Sequence, residues 1–181
     1  MHAHDGLRAM DAFEFVRLRR EASGTLPLAS LDRFCAGLPE QPAGEAGQLN
    51  WSLRGRQGER GEPLLDLSVQ ARPVVVCQRC LAPFEWPVDA RVALHLVRSE
   101  EELDDADLAP DEDELDEPEK VLGSERFDLL AQIEDELILS VPYIPRHDTC
   151  PGQAGAPRQA DDAPAERPSP FAVLEQLKSK K

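Results

Sequence analysis

Long apolar runs are missing from this chain of 181 residues: no segment approaches the ~20 apolar residues that a membrane-spanning helix needs. The opening stretch MHAHDGLRAMDAFEFVRLRR also lacks the apolar core of a secretory leader. Cysteine is scarce, four in all, and a chain of this size can bury a core without disulfides. The expectation is a soluble cytoplasmic protein with reduced thiols. Catalytic signatures are absent as well. There is no GxSxG, no P-loop, no GxGxxG and no HExxH, and neither His2, His4 nor His95 stands in a pattern that builds a nucleophile–base pair. No small-molecule substrate is evident. Basic residues are missing from residues 100–119, EEELDDADLAPDEDELDEPE, which carry 13 acidic residues. The whole chain has a formal net charge of -15, so the remainder nets only about -2. So dense a run of one sign repels itself and resists burial. It reads as a disordered acidic loop that either solubilises the protein or meets a basic partner, and it would repel phosphate.

What is present begins with alternation. In FEWPVDARVALHLV, the even positions Phe84, Trp86, Val88, Ala90, Val92, Leu94 and Leu96 are apolar, while Glu85, Asp89, Arg91 and His95 lie between them. This is the period of a long strand with one buried face. PLLDLSVQARPVVVCQ alternates in the same way through Leu65, Leu67, Val69 and Ala71, and LNWSLRG offers Leu49, Trp51 and Leu53. Short connections between these runs, GRQGERGEP and CQRCLAP, predict an antiparallel meander of three or more strands.

Helical spacing flanks the meander. Residues 31–40 place Leu31, Phe34, Cys35 and Leu38 on one face, with Ser30 as N-cap and Gly37 with Pro39 as the stop. Cys35 then reads as a small core residue. GSERFDLLAQIEDELILSVP places Phe127, Leu130, Ile133, Leu137 and Ile138 on a core stripe, with Glu125, Asp128, Glu134, Asp135 and Glu136 on the wet side. Residues 151–169 are rich in Pro, Gly and Ala and read as a flexible linker. Residues 170–181, PFAVLEQLKSKK, read as a tethered amphipathic basic helix that either docks back on the chain or reaches for a partner.

Cys77 and Cys80 in CQRC leave three readings open. Zinc needs four ligands, and a CxxC turn presents two of them. His147 and Cys150 in RHDTCP stand three apart and could complete a set of three cysteines and one histidine, although 66 residues separate the two halves. A redox pair would need CxxC at the start of a helix, whereas here a strand follows, with only Arg79 to favour a thiolate. The third reading is a plain turn. Zinc is thus a possible cofactor, and no other is implied.

The order of these features is that of a known family. A strand entering CQRCLAPF, a long strand, an acidic stretch, FDLLAQIEDELILSVPYIPRHDTC, a loose linker and a terminal PFAVLEQLK resemble the large ribosomal RNA subunit accumulation proteins, YceD, over about residues 48–181. The resemblance implies a role in the synthesis, processing or stability of large-subunit (23S) ribosomal RNA in a bacterial cytosol, and it carries over no catalytic residue. Positions matching the family pattern are Cys77, Arg79 and Cys80, then Glu134, Asp135 and Glu136, then Pro142, Pro145 and His147. Some relatives carry additional cysteines in that last region, where this chain has only Cys150.

Together these readings give an α+β protein, an antiparallel sheet packed with one or two helices. Residues 1–47 form part of the same domain, residues 48–150 form its core with the disordered insertion at 100–119, and the linker and terminal helix follow. The function expected is that of a non-enzymatic ribosome biogenesis factor whose partner is a basic ribosomal protein or large-subunit rRNA, free or in the pre-ribosome. The protein would be met through the acidic run, and the RNA through Arg54, Arg56, Arg72, Arg79 and Arg91 near the sheet's polar positions. The competing class is an enzyme, either a metal-dependent nuclease built on carboxylates or a thiol enzyme built on Cys77 and Cys80.

Overall fold

In the computed structural model the described residues are 6–104 and 118–151. The chain divides into two units, Met1–Asp148 and Thr149–Lys181. The fold described below is that of the first. Of the second, only residues 149–151 are described, so the linker and the terminal helix lie outside the described residues.

The alternating runs form strands as their period demands. β1 (Glu21–Pro27), β2 (Gln48–Gln57), β3 (Pro63–Ala71), β6 (Val88–Val97) and β7 (Glu119–Leu122) make one sheet in the order β1-β2-β3-β6-β7. The first three pairings are antiparallel, and β6 with β7 is parallel, so the sheet is mixed. β4 (Val74–Val76) and β5 (Pro83–Glu85) form a separate antiparallel hairpin between β3 and β6. The single long strand expected from Phe84 to Val97 is therefore two. Pro87 has no N–H for a ladder, and the chain changes sheets there.

One face of the sheet carries Leu49, Trp51, Leu53, Leu65, Leu67, Val69, Leu94 and Leu96, all buried. Against it pack α1 (Ala12–Arg17) and α4 (Leu129–Ser140), with α2 (Asp32–Cys35) lying against α4. Asp11 caps α1 by accepting from Glu14 N–H, and Asp128 caps α4 by accepting from Ala131 N–H. The close approach of α1 to β2 needs Gly55: a Cβ there would stand 2.8 Å from the Phe15 carbonyl oxygen. The opposite face is polar. It carries cross-strand rows such as Ser23–Ser52–Ser68–Arg91.

Four expectations are corrected. The helix expected at 31–40 is one turn, Asp32–Cys35, with Leu31 rather than Ser30 at its N-cap, and Gly37 leaves it with φ +80°. Leu31 and Phe34 are buried as expected, and Cys35 is half-buried, its thiol donating to the Leu28 carbonyl at 3.2 Å. Second, Ile138 is exposed, and the face it was expected to occupy includes Leu129 and Glu134 instead. Third, Glu134 is buried rather than wet. Its carboxylate accepts from the Phe34 N–H at 3.0 Å, satisfying a donor at the start of α2, while Asp135 pairs with Arg33 beside it. Fourth, the disordered insertion expected over 100–119 is corrected at both ends, where Glu100–Asp104 forms the short helix α3 and Glu119 opens β7, while residues 105–117 lie outside the described residues. No described helix is long and apolar enough to cross a membrane.

Glu134→Ala would leave the Phe34 N–H buried without its acceptor, and a loss of about 1–3 kcal/mol in unfolding free energy is expected by denaturant titration. Glu134→Gln keeps an acceptor and is expected to lose less.

Candidate metal centre

The β4–β5 hairpin ends in the turn Cys77–Ala82, closed by Cys77 N–H to the Ala82 carbonyl at 3.0 Å and Leu81 N–H to the Cys77 carbonyl at 2.9 Å. This turn folds both cysteines inward. It also forces Leu81 to φ +61°, a left-handed conformation that costs an L-residue roughly 1–2 kcal/mol. Leu81 is nonetheless 72% exposed, so burial of its side chain contributes little to offset that cost.

The chain leaving α4 returns to this turn. Gln78 N–H donates to the Pro145 carbonyl at 2.9 Å, and the Arg79 guanidinium donates to the carbonyls of His147 (2.9 Å) and Asp148 (3.4 Å). Arg79, expected as a possible thiolate partner, thus pins the backbone that carries the histidine. His147 N–H points at Cys77 Sγ at 3.5 Å, its Nδ1 lies 3.4 Å from Cys80 Sγ, and its ring sits on Phe84 with centroids 4.3 Å apart.

Cys77, Cys80, His147 and Cys150 each offer one ligand atom, and all four atoms lie within 4.8 Å of one another. Tetrahedral zinc with thiolate and imidazole ligands spaces its donors roughly 3.3–3.8 Å apart, so about 1 Å of contraction would close the set. The donor chemistry fits: three soft thiolates and one imidazole suit zinc far better than a hard cation. Cys77 and Cys150 are buried, and Cys80 and His147 are half-buried, which keeps most of the cluster from water. Burial pushes the Cys77 thiol up. The backbone N–H groups of Cys80, His147 and Arg79 and the His147 side chain more than offset this, bringing it down to about 5. A thiolate at neutral pH is the state a metal requires. The redox reading has no helix N-terminus here to support it.

The second group of expected residues lies elsewhere. Glu134 and Asp135 engage Phe34 and Arg33 on α2, and Glu136 has its carboxyl raised by burial and then by Glu119 and Asp135. These contacts run to α2 and β7, away from the cysteines. Pro145 is buried where it accepts from Gln78, whereas Pro142 is exposed at the exit of α4. The turn's aromatic support was missed from sequence. Phe84 and Trp86 were assigned to a core stripe; Trp86 packs against the core while half-buried, whereas Phe84, also half-buried, meets Trp86 edge to face at 6.1 Å and faces His147.

This layout, a mixed sheet carrying a cysteine hairpin that is closed by the exit of its C-terminal helix, matches a known class in sequence. The profile of the family "Large ribosomal RNA subunit accumulation protein YceD" matches residues 65–178, and the chain belongs to that family. The Haemophilus influenzae large ribosomal RNA subunit accumulation protein YceD is 32% identical over 108 residues, 58% of this chain. The chain thus matches about 59% of that relative's own length. No solved structure matches.

Metal-free protein is expected to lose stability as pH falls from about 9 to about 5. The unfolded thiol takes its proton near the ordinary value of 9.0, while folded Cys77 resists until about 5, so the contribution is full above 9 and gone below 5. Thermal melts of chelator-treated protein across that range check it, and Cys77→Ala should flatten the slope.

Proposed function

We propose that this protein is a non-catalytic, cytoplasmic factor in large-subunit ribosome assembly, that Cys77, Cys80, His147 and Cys150 hold one structural zinc, and that its direct partner is a basic ribosomal protein. Family membership supports the assembly role, since the name of the relative and of the family concerns accumulation of large-subunit rRNA.

The observation that carries the choice of partner is the pairing of the sheet's arginines. Phosphate recognition needs guanidinium groups available to it. Arg54 faces Glu21 at 3.2 Å, Arg56 faces Asp66 at 2.7 Å, Arg91 faces Asp89 at 3.7 Å and Arg72 faces Glu85 at 4.0 Å. Arg79 is engaged by two backbone carbonyls. All five arginines that would have formed an RNA face therefore lie beside carboxylates or carbonyls, which lowers the positive potential offered to phosphate. The excess charge is negative and concentrated in residues 100–119, which suits a basic protein. Large-subunit rRNA would then be protected through the protein delivered to it.

Native mass spectrometry of protein purified from cells under reducing conditions tests the zinc. One zinc per chain is expected, lost in Cys80→Ser. Titration with purified basic large-subunit proteins and with rRNA fragments tests the partner. Binding to a protein is expected, weakening at least tenfold when residues 105–117 are deleted or salt is raised from 50 to 500 mM. Tight, salt-sensitive binding of rRNA by the intact protein would overturn the protein route.

A further inference from the structure

Among the described residues, apolar side chains that water still reaches are concentrated at the end of α4 and just after it. Of the seven exposed large hydrophobic residues among the described ones, Ile138, Leu139, Tyr143 and Ile144 fall within a single stretch of seven residues that ends α4 and leads to the metal centre. Leu139 is 73% exposed and Tyr143 98%. A fifth, Leu81, stands on the hairpin turn to which that stretch is fastened through Gln78 and Pro145. Solvent-exposed apolar clusters of this kind mark protein–protein contacts, and tyrosine is among the residues that anchor them. Leu81 adds an independent pointer. A large apolar residue held in a left-handed turn and left in water does little for the fold, and such outliers cluster at functional sites.

The flanking charge indicates what could settle there. On α4, Asp135 lies one turn before Leu139, and Glu136 faces Glu119 of β7 and Asp135. Arg33 meets Asp135, and no ion pair to Glu136 or Glu119 is present among the described residues. Arg146, exposed two residues after Ile144, is followed by the acidic Asp148 in sequence. An apolar strip with an acidic flank complements an amphipathic basic polypeptide, whose apolar face would cover the strip and whose cations would meet the acids. Nucleic acid would gain little from Leu139 or Ile144 and would be repelled by Glu119 and Glu136.

We infer that the strip Ile138–Ile144, together with Leu81, is the docking surface for an amphipathic basic segment of a large-subunit ribosomal protein. This inference rests on the partner class proposed above. It differs in naming the apolar surface, which borders the acidic stretch only at Glu119.

The chain has a single tyrosine, Tyr143, so 3-fluorotyrosine places one 19F reporter on the strip. Full-length, metal-loaded protein carrying this label is titrated with individually purified basic large-subunit ribosomal proteins. The expected result is that one or more of them shifts or broadens the resonance. Leu139→Asp with Ile144→Asp should then weaken that binding at least tenfold, with zinc content and melting temperature unchanged because both side chains are exposed. Leu81→Asn, which suits a left-handed turn better, should weaken binding with stability equal or higher. Undiminished binding by the double variant with the resonance unmoved overturns the strip while leaving the partner class standing. Binding of rRNA but of no ribosomal protein, or of neither, overturns both. A resonance that moves with protein concentration alone, in a dimer that the double variant dissolves, assigns the strip to a second copy, and one that moves on deletion of residues 170–181 with no partner added assigns it to this chain's own basic segment; either overturns it as well.

Discussion

One backbone hydrogen bond, from Gln78 N–H to the Pro145 carbonyl, fastens the exit of α4 to the tip of the β4–β5 hairpin. The candidate metal ligands gather around it. It sets His147 opposite Cys77 and Cys80, lets Arg79 reach two carbonyls of the returning chain, and leaves the residues just before Pro145 to run over the surface as an apolar strip. The hairpin itself is too short to be stable alone. It is held at its base by Gln41, which both donates to and accepts from the backbone of Val74, and at its tip by the chain leaving α4, a helix anchored by Leu130, Ile133 and Leu137 in the core. A metal at the tip would replace a few weak contacts by four bonds, so the return of the chain and the binding of the ion are expected to reinforce one another.

A second consequence of the packing is a division of labour among carboxylates of similar appearance. Glu134, Asp135 and Glu136 are consecutive, yet one caps an N–H of α2, one pairs with Arg33, and one remains near Glu119 with its proton held more tightly than usual. Helical geometry alone separates them by about 100° each, so neighbouring residues face different surroundings. None of the three is placed to share a metal or a substrate with the thiols.

Much of this was legible in the residues, for reasons that differ between elements. The strict alternation in Leu65–Ala71 and Val88–Leu96 comes from a sheet with one dry face, which is the strongest periodic signal a sequence can carry. β1 was missed because EASGTLP lies at the sheet margin with only Leu26 buried, and β7 because four residues beside a dense acidic run show no period. Half of the metal cluster was readable in CQRC, since CxxC spacing is local. The other half depends on a return over 66 residues that only packing decides. Glu134 could not be assigned from pattern, because its burial depends on α2 presenting an N–H at that place.

The family match begins at residue 65, inside β3, so β1, β2, α1 and α2 all come from the part of the chain before it. Those elements are not ornaments on a finished domain. β2 pairs with β3 over eight residues, and β1 covers the far side of β2. A fragment trimmed to the matched region would open the length of β3 to solvent, with Leu65, Leu67 and Val69 deprived of their cross-strand neighbours Gly55, Leu53 and Trp51. One trimmed at residue 48 would instead leave the ten residues of β2 unpaired on one side. Unpaired strands of that length and apolarity are templates for intermolecular pairing. Truncation to the recognisable core would therefore favour aggregation over a smaller soluble domain.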